Sequence, residues 1–143
     1  MKIKQYLVEN GQLSDEGLVP LQAISPDLVL VFAAYAVMAG DQFFASLQQA
    51  FPDAQLAGCS TAGEITQEGV SDDGAVITAV AFEQVQIQVV EVQVADLDDS
   101  FRAGTDLGRQ LAAINPGAVT LFGPGIAVNG SAIINGVSNE IGN

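Results

Sequence analysis

The segment LAGCSTAGEIT, residues 56–66, brings together several side chains that are able to do chemistry. It contains the only cysteine of the chain, Cys59, followed by the hydroxyl groups of Ser60 and Thr61 and the carboxylate of Glu64. An apolar run precedes the cysteine, so these residues lie where a predicted strand ends and a loop begins. Three interpretations follow: a nucleophile on a sharp turn, a ligand-binding loop, or a tight connection between two strands.

The nucleophile interpretation of Cys59 lacks a partner for the thiol. A catalytic cysteine is usually activated by histidine, by lysine or by a helix N-terminus, and the chain has no histidine. A neighbouring Glu64 would repel a thiolate. One cysteine without histidine is also too few ligands for a zinc site. We therefore expect no enzyme, no metal and no cofactor, and an enzyme that depends on Cys59 remains a lesser alternative.

The ligand-loop interpretation requires no activating partner for Cys59. Gly63 lets the backbone approach a bound molecule closely. Ser60 and Thr61 offer hydrogen-bond donors and acceptors, and Glu64 is suited to an ammonium group. The alternative is that the glycines only shape a turn while Cys59 fills the core as a small apolar residue. The residues by themselves leave both interpretations open.

Composition limits the class of protein. The 143 residues are 49% hydrophobic, which predicts one globular domain over residues 1–143. Four basic residues against seventeen acidic ones give a net charge of −13, which disfavours nucleic acid and anionic membrane surfaces as partners. The apolar run at residues 28–40 is shorter than the roughly 20 residues of a membrane-spanning helix, and the first twelve residues have no apolar stretch of the length expected for a signal peptide. A cytoplasmic protein is the expectation.

The hydrophobic pattern predicts an α/β fold, with mixed α+β layers in which helices pack on a mixed sheet. The residues near the N-terminus are expected to add an edge strand and a short helix. In the helix predicted at 96–114, Phe101, Leu107, Leu111 and Ile114 are expected to face inward. Segment 85–95 alternates apolar and polar residues, so it is predicted to pair antiparallel with the strand before it. The other predicted strands span residues 27–34, 54–60, 74–82 and 117–125, and further helices are predicted at 40–51 and from about residue 129.

Several motifs together resemble the N-terminal part of the FIST sensory domain. They are GCSTAGEI at 58–65, GVSDDGAVITAVAF at 69–82, and the flanking segments DLVLVFAA and LFGPGIAVNGSAIINGV. The resemblance covers residues 26–142. It implies an intracellular signal-input module that senses small molecules such as amino acids. It also implies a signalling partner such as a histidine kinase or a chemotaxis receptor.

The chain departs from the family pattern in two ways, and it lacks a residue that the haem-binding members would need. Family members usually continue into a further part of this domain and a C-terminal domain, so we interpret the chain, which ends at SNEIGN, as a truncated piece. A turn that commonly carries an Asp-Gly pair reads Pro124-Gly125. Some members bind haem and report nitric oxide, but the chain has no histidine to serve as an axial ligand.

The resulting hypothesis is a non-catalytic sensory domain whose ligand lies where the loop after Ser60 meets the turn GPGIAVNG. Both segments follow predicted strands, at the edge where open α/β sheets place ligands. The alternatives are an interaction or assembly module without its own ligand, for example a homo-oligomer, an enzyme dependent on Cys59, and a haem-based sensor. The expected ligand-binding residues are Cys59, Ser60, Thr61, Gly63, Glu64, Gly125 and Asn129.

Overall fold

The computed structural model describes residues 1–66 and 69–142, apart from the side chains of Asn10 and Asp41. The chain divides into two compact units, Met1–Val89 and Val90–Asn143, which we call the first and the second unit and describe separately. A single domain over residues 1–143 stays a prediction.

The first unit is built on a four-stranded mixed sheet and a two-stranded hairpin. The sheet has the order β1-β6-β2-β3, and the hairpin is formed by β4 and β5. Strands β2 and β3 are parallel, whereas β6 is antiparallel to both β1 and β2. In chain order the elements are β1 (Lys2–Val8), a 3-10 turn (Glu9–Gly11), α1 (Asp15–Gln22), β2 (Leu28–Ala34), α2 (Tyr35–Met38), α3 (Asp41–Ala50), β3 (Gln55–Thr61), β4 (Glu64–Thr66), β5 (Gly69–Ser71) and β6 (Ala75–Ala81).

The main core of the first unit lies on one face of the sheet. Alternate residues of β2 and β6 point to this face because strand side chains alternate between the two sides. The apolar residues of α1 and α3 recur at helical spacing and cover the same face. The buried cluster comprises Val8, Leu18, Leu21, Val29, Val31, Ala33, Phe43, Leu47, Phe51, Ala75, Ile77 and Ala79.

The α/β class and the mixed sheet are therefore confirmed, but the strand predicted at residues 85–95 is wrong. This segment forms no ladder with any described residue. The physical reason lies in β6, the strand that was expected to pair with it. Strand β1 occupies one edge of β6 from Lys2 to Val8, and β2 occupies the other edge, so β6 has no free edge for a further strand.

The second unit contains two helices, α4 (Ser100–Ala112) and α5 (Gly130–Ile141), which pack against each other. Small residues bring the two backbones close together. A Cβ on Gly136 would lie 2.6 Å from both the carbonyl oxygen of Phe101 and the backbone nitrogen of Thr105. A Cβ on Gly104 would collide with the backbone of Ile133. The contact therefore depends on the absence of side chains at these positions.

The inward face expected for α4 is only partly right. Leu111 is buried, but Phe101 and Ile114 are exposed, because the buried face is formed mainly by Ser100, Ala103, Gly104 and Gly108. The strand predicted at 117–125 is also wrong, since these residues join no ladder with the described residues. Strand propensity alone does not form a strand without a paired neighbour.

Across the described residues, no helix has both the length and the apolar character needed to cross a membrane.

Candidate functional site

The candidate ligand-binding loop, residues 62 and 63, joins β3 to β4 at one end of the sheet. β3 ends at Thr61, which pairs with Ala34 at the end of β2. The amide of Ala34 donates a hydrogen bond to the carbonyl oxygen of Gly74, just before β6 begins. Residues 62 and 63 then connect β3 to β4, with a bend at residue 62. The ends of β2 and β3 and the start of β6 therefore meet beside this loop.

Thr61 and Glu64 contact each other across this connection. The hydroxyl group of Thr61 donates a hydrogen bond to Oε1 of Glu64 at 2.5 Å. Glu64 pairs with Ser71 in the hairpin, and strand β4 lies against β2 and β6. The hydrogen bond and the hairpin register together fix the carboxylate in one place.

The carboxylate of Glu64 is buried and only half satisfied. Its residue is 2% exposed, and Oε2 is buried without a hydrogen-bond partner among the described residues. No cationic group forms an ion pair with it in the part of the chain that the structure describes. Lys2 lies at the opposite end of the sheet, opposite Ala81. Burial of a carboxylate without a cation is unfavourable, so a hydrogen-bond donor to Oε2 would stabilise it.

Cys59 and Ser60 lie on opposite faces of β3. Cys59 is half-buried and pairs with Phe32 in the register of β2 and β3. Ser60 is exposed and lies opposite Ala33. Because side chains alternate along a strand, Cys59 and Thr61 share one face and Ser60 occupies the other. The structure thus does not place the hydroxyl of Ser60 on the same face as that of Thr61.

Gly63 lies close to the turn that follows β5. A Cβ on Gly63 would lie 3.0 Å from Oδ1 of Asp72. Asp72 was not among the residues that the sequence indicated for this loop. A prediction of the β4–β5 hairpin would have indicated Asp72. Because Glu64 pairs with Ser71, the residue before Glu64, Gly63, lies beside the residue after Ser71, Asp72. The loop is therefore flanked by a second carboxylate.

Gly125 and Asn129 belong to the second unit. Asn129 caps α5, since its Oδ1 accepts a hydrogen bond from the amide of Ala132 at 3.1 Å. Its own amide donates to Oγ of the buried Ser100 at 2.9 Å. Gly125 is exposed, and a Cβ there would meet nothing within 4 Å. A shared site with the β3–β4 loop remains a prediction.

Two ionisable groups of the second unit, Asp99 and Arg102, have pKa values that differ from their usual ones, and they form an ion pair on the helix surface. Arg102 donates hydrogen bonds to both carboxylate oxygens of Asp99 at 2.5 Å, and a further one to Asp106. These bonds lower the pKa of Asp99 to about 2 and raise the pKa of Arg102. The described residues hold no group of three or more side chains suited to a metal ion.

Comparison with known protein families gives a match over most of the chain. A family model described as the FIST N domain matches residues 27–143. This range contains the β3–β4 loop and both helices of the second unit. No curated protein and no solved structure matches the chain significantly.

Proposed function

Since the chain belongs to the FIST family of sensory domains, we propose that it is a cytoplasmic signal-input domain that binds a small polar, amino-acid-like metabolite. In this proposal it relays the signal to a signalling protein such as a histidine kinase or a chemotaxis receptor. The observation that carries the proposal is the buried Glu64, whose Oε2 has no partner among the described residues.

The charge of Glu64 selects the kind of ligand. A buried carboxylate with an unpaired oxygen is stabilised most by a donor that also carries positive charge. Thr61 already occupies Oε1, so a ligand ammonium group would donate to Oε2. With Asp72 beside the loop and a net charge of −13, the surroundings favour a cationic group over an anionic one.

The other residues take supporting roles in this proposal. Thr61 orients Glu64, and Gly63 lets the loop backbone lie close to the carboxylate of Asp72. Cys59 lies on the same face of β3 as Thr61, whereas Ser60 stays in the proposal as a residue of the opposite face of this strand end. We also propose Gly125 and Asn129 of the second unit as ligand-binding residues. No covalent step is required of any of these side chains.

The test is a thermal-shift screen of the whole chain against amino acids, polyamines, nucleotides and haem. A ligand at a hundred times its dissociation constant stabilises the folded state by about 2.7 kcal/mol, which raises the melting temperature visibly. We expect an amine-bearing compound to act, and its effect to be lost in Glu64→Gln and Thr61→Val. Glu16→Gln, which removes an exposed carboxylate from α1, is the matched control. An effect that persists in both loop variants would contradict the site.

A second candidate function, assembly without a ligand, is favoured by segment 85–95. It has the composition of a strand but joins no ladder with the described residues, and Val85 and Val89 are exposed. A strand-forming segment that joins no ladder is a template for pairing with another chain. A melting temperature that rises with protein concentration, without any ligand effect, would favour a homo-oligomer.

A further inference from the structure

The β4–β5 hairpin has two different faces. Ile65 and Val70 lie directly opposite each other in the hairpin and are 79% and 72% exposed. Glu64, the residue before Ile65, is 2% exposed. Neighbouring side chains of a strand point to opposite sides, so the short strand β4 carries a buried carboxylate on its inner side and an aliphatic side chain on its outer side.

A third apolar side chain is exposed at the same end of the sheet. Tyr35 directly follows β2 and is 76% exposed. Adjacent exposed apolar side chains are a characteristic of interaction surfaces, whereas isolated ones are common on any protein. We call Ile65 and Val70 the outer hairpin face. We propose that this face is the docking surface for a basic, amphipathic segment of the signalling partner, and this inference rests on the proposed function.

The chemistry of the partner follows from the charges near the outer hairpin face. Asp72 and Asp73 are exposed in the turn that immediately follows β5. The lysines of the first unit lie on β1, where Lys2 is at the far end of β6. A complementary segment therefore presents aliphatic side chains flanked by lysine or arginine. A second copy of the chain is a poorer occupant, because it carries the same net charge of −13.

The hairpin also couples the ligand site at Glu64 on its inner side to the outer hairpin face. Each of its strands has three residues, and a two-stranded hairpin of this kind is marginally stable by itself. Its position therefore depends on the contacts of its inner side, where β4 lies against β2 and β6 and Glu64 accepts from Thr61. A ligand that binds Glu64 favours the hairpin position seen here. By thermodynamic linkage, a partner that binds the outer hairpin face in this position raises the affinity for the ligand.

The experiment measures binding of a fluorescent amphipathic helical peptide made of leucine and lysine. The double variant Ile65→Thr/Val70→Thr keeps β-branched side chains, so it preserves strand propensity while removing the aliphatic surface. We expect its dissociation constant to rise by about tenfold or more. Val19→Thr, an equally conservative change at an exposed position of α1, is the matched control and is expected to bind like the wild type. Circular dichroism verifies that all variants fold.

Three results would overturn the inference. The first is equal binding of the peptide by the wild type and the double variant. The second is equal binding of a peptide in which glutamate replaces every lysine. The third is a dimer of the wild type that the double variant abolishes, which would make a second copy the occupant. Since the assay contains no metabolite, selective peptide binding without any ligand in the thermal-shift screen would retain the docking surface and refute the sensing site.

Discussion

Replacing Glu64 by glutamine is expected to stabilise the protein in the absence of a ligand. The substitution preserves the shape of the side chain and the oxygen that accepts from Thr61, at 2.5 Å in the wild type. It removes a negative charge from a position that is 2% exposed. Functional sites commonly retain groups that are unfavourable for folding, so a substitution that reduces binding is able to increase stability.

The magnitude follows from three opposing terms. Relief of the buried charge is worth several kcal/mol, because a carboxylate without a cation is poorly solvated by protein. Conversion of the charge-assisted bond from Thr61 into a neutral one loses about 1 kcal/mol. The new amide nitrogen at the position of Oε2 stays unpaired, at a cost of about 1–3 kcal/mol. We expect a net stabilisation of about 1–2 kcal/mol, which corresponds to a rise in melting temperature of about 3–8 °C for a chain of this size.

The assay is thermal and urea unfolding of the wild type, Glu64→Gln and the control Glu16→Gln without added ligand. The exposed Glu16 is expected to change the free energy of unfolding by less than about 0.5 kcal/mol. A loss of about 1 kcal/mol or more in Glu64→Gln would refute the reasoning. It would mean that Oε2 has a strong partner in the folded protein and that the carboxylate is structural.

Three further predictions concern the helix pair and the cysteine. Gly136→Ala is expected to lower the free energy of urea unfolding by about 1–3 kcal/mol, because its Cβ meets backbone atoms of α4 at 2.6 Å. Gly130→Ala, in open space, is the control, and equal losses in both variants would contradict this packing. Arg102→Gln is expected to raise the pKa of Asp99 from about 2 towards 3.8, measured by NMR titration of the carboxyl group. Because the pKa of Asp99 is depressed in the folded chain, the Asp99–Arg102 pair stabilises the helix above pH 3.8 and loses this effect as the pH falls through about 2. A pKa of Asp99 that is unchanged in Arg102→Gln would contradict the role of Arg102. The half-buried Cys59 is expected to be alkylated much more slowly in the folded chain than in urea, and rapid alkylation of the folded chain would revive the enzyme alternative.

The strands of the central sheet are largely readable from the sequence. Residues 27–34, 54–60 and 74–82 are apolar runs of strand length, and each contains or overlaps an observed strand. Segment 85–95 has an equally good pattern and forms no strand with the described residues. Its pattern is local, whereas the edge of β6 is occupied by β1, a strand that lies far away in the sequence. No local rule contains that information.

In the candidate site, too, the residue types could be predicted from the sequence, but their positions in the structure could not. The residue types around Cys59 and Glu64 indicate a polar loop directly from the sequence. The burial of Glu64 depends on the register that pairs it with Ser71, and this register folds the carboxylate inward. In the second unit, the hydrophobic pattern favoured Phe101 as an inward residue, but the close approach at Gly136 leaves no room for large side chains.

The pairing of β1 with β6 has a consequence for how the protein is made. β1 pairs with β6 from Val8 opposite Ala75 to Lys2 opposite Ala81, so β1 cannot pair completely until the ribosome has synthesised the last residue of β6. Contacts between residues so distant in sequence form slowly, because a long loop must close first. Completion of the sheet is therefore expected to be a late step in folding. A nascent chain that pauses before residue 81 would expose the free edge of β2 to aggregation.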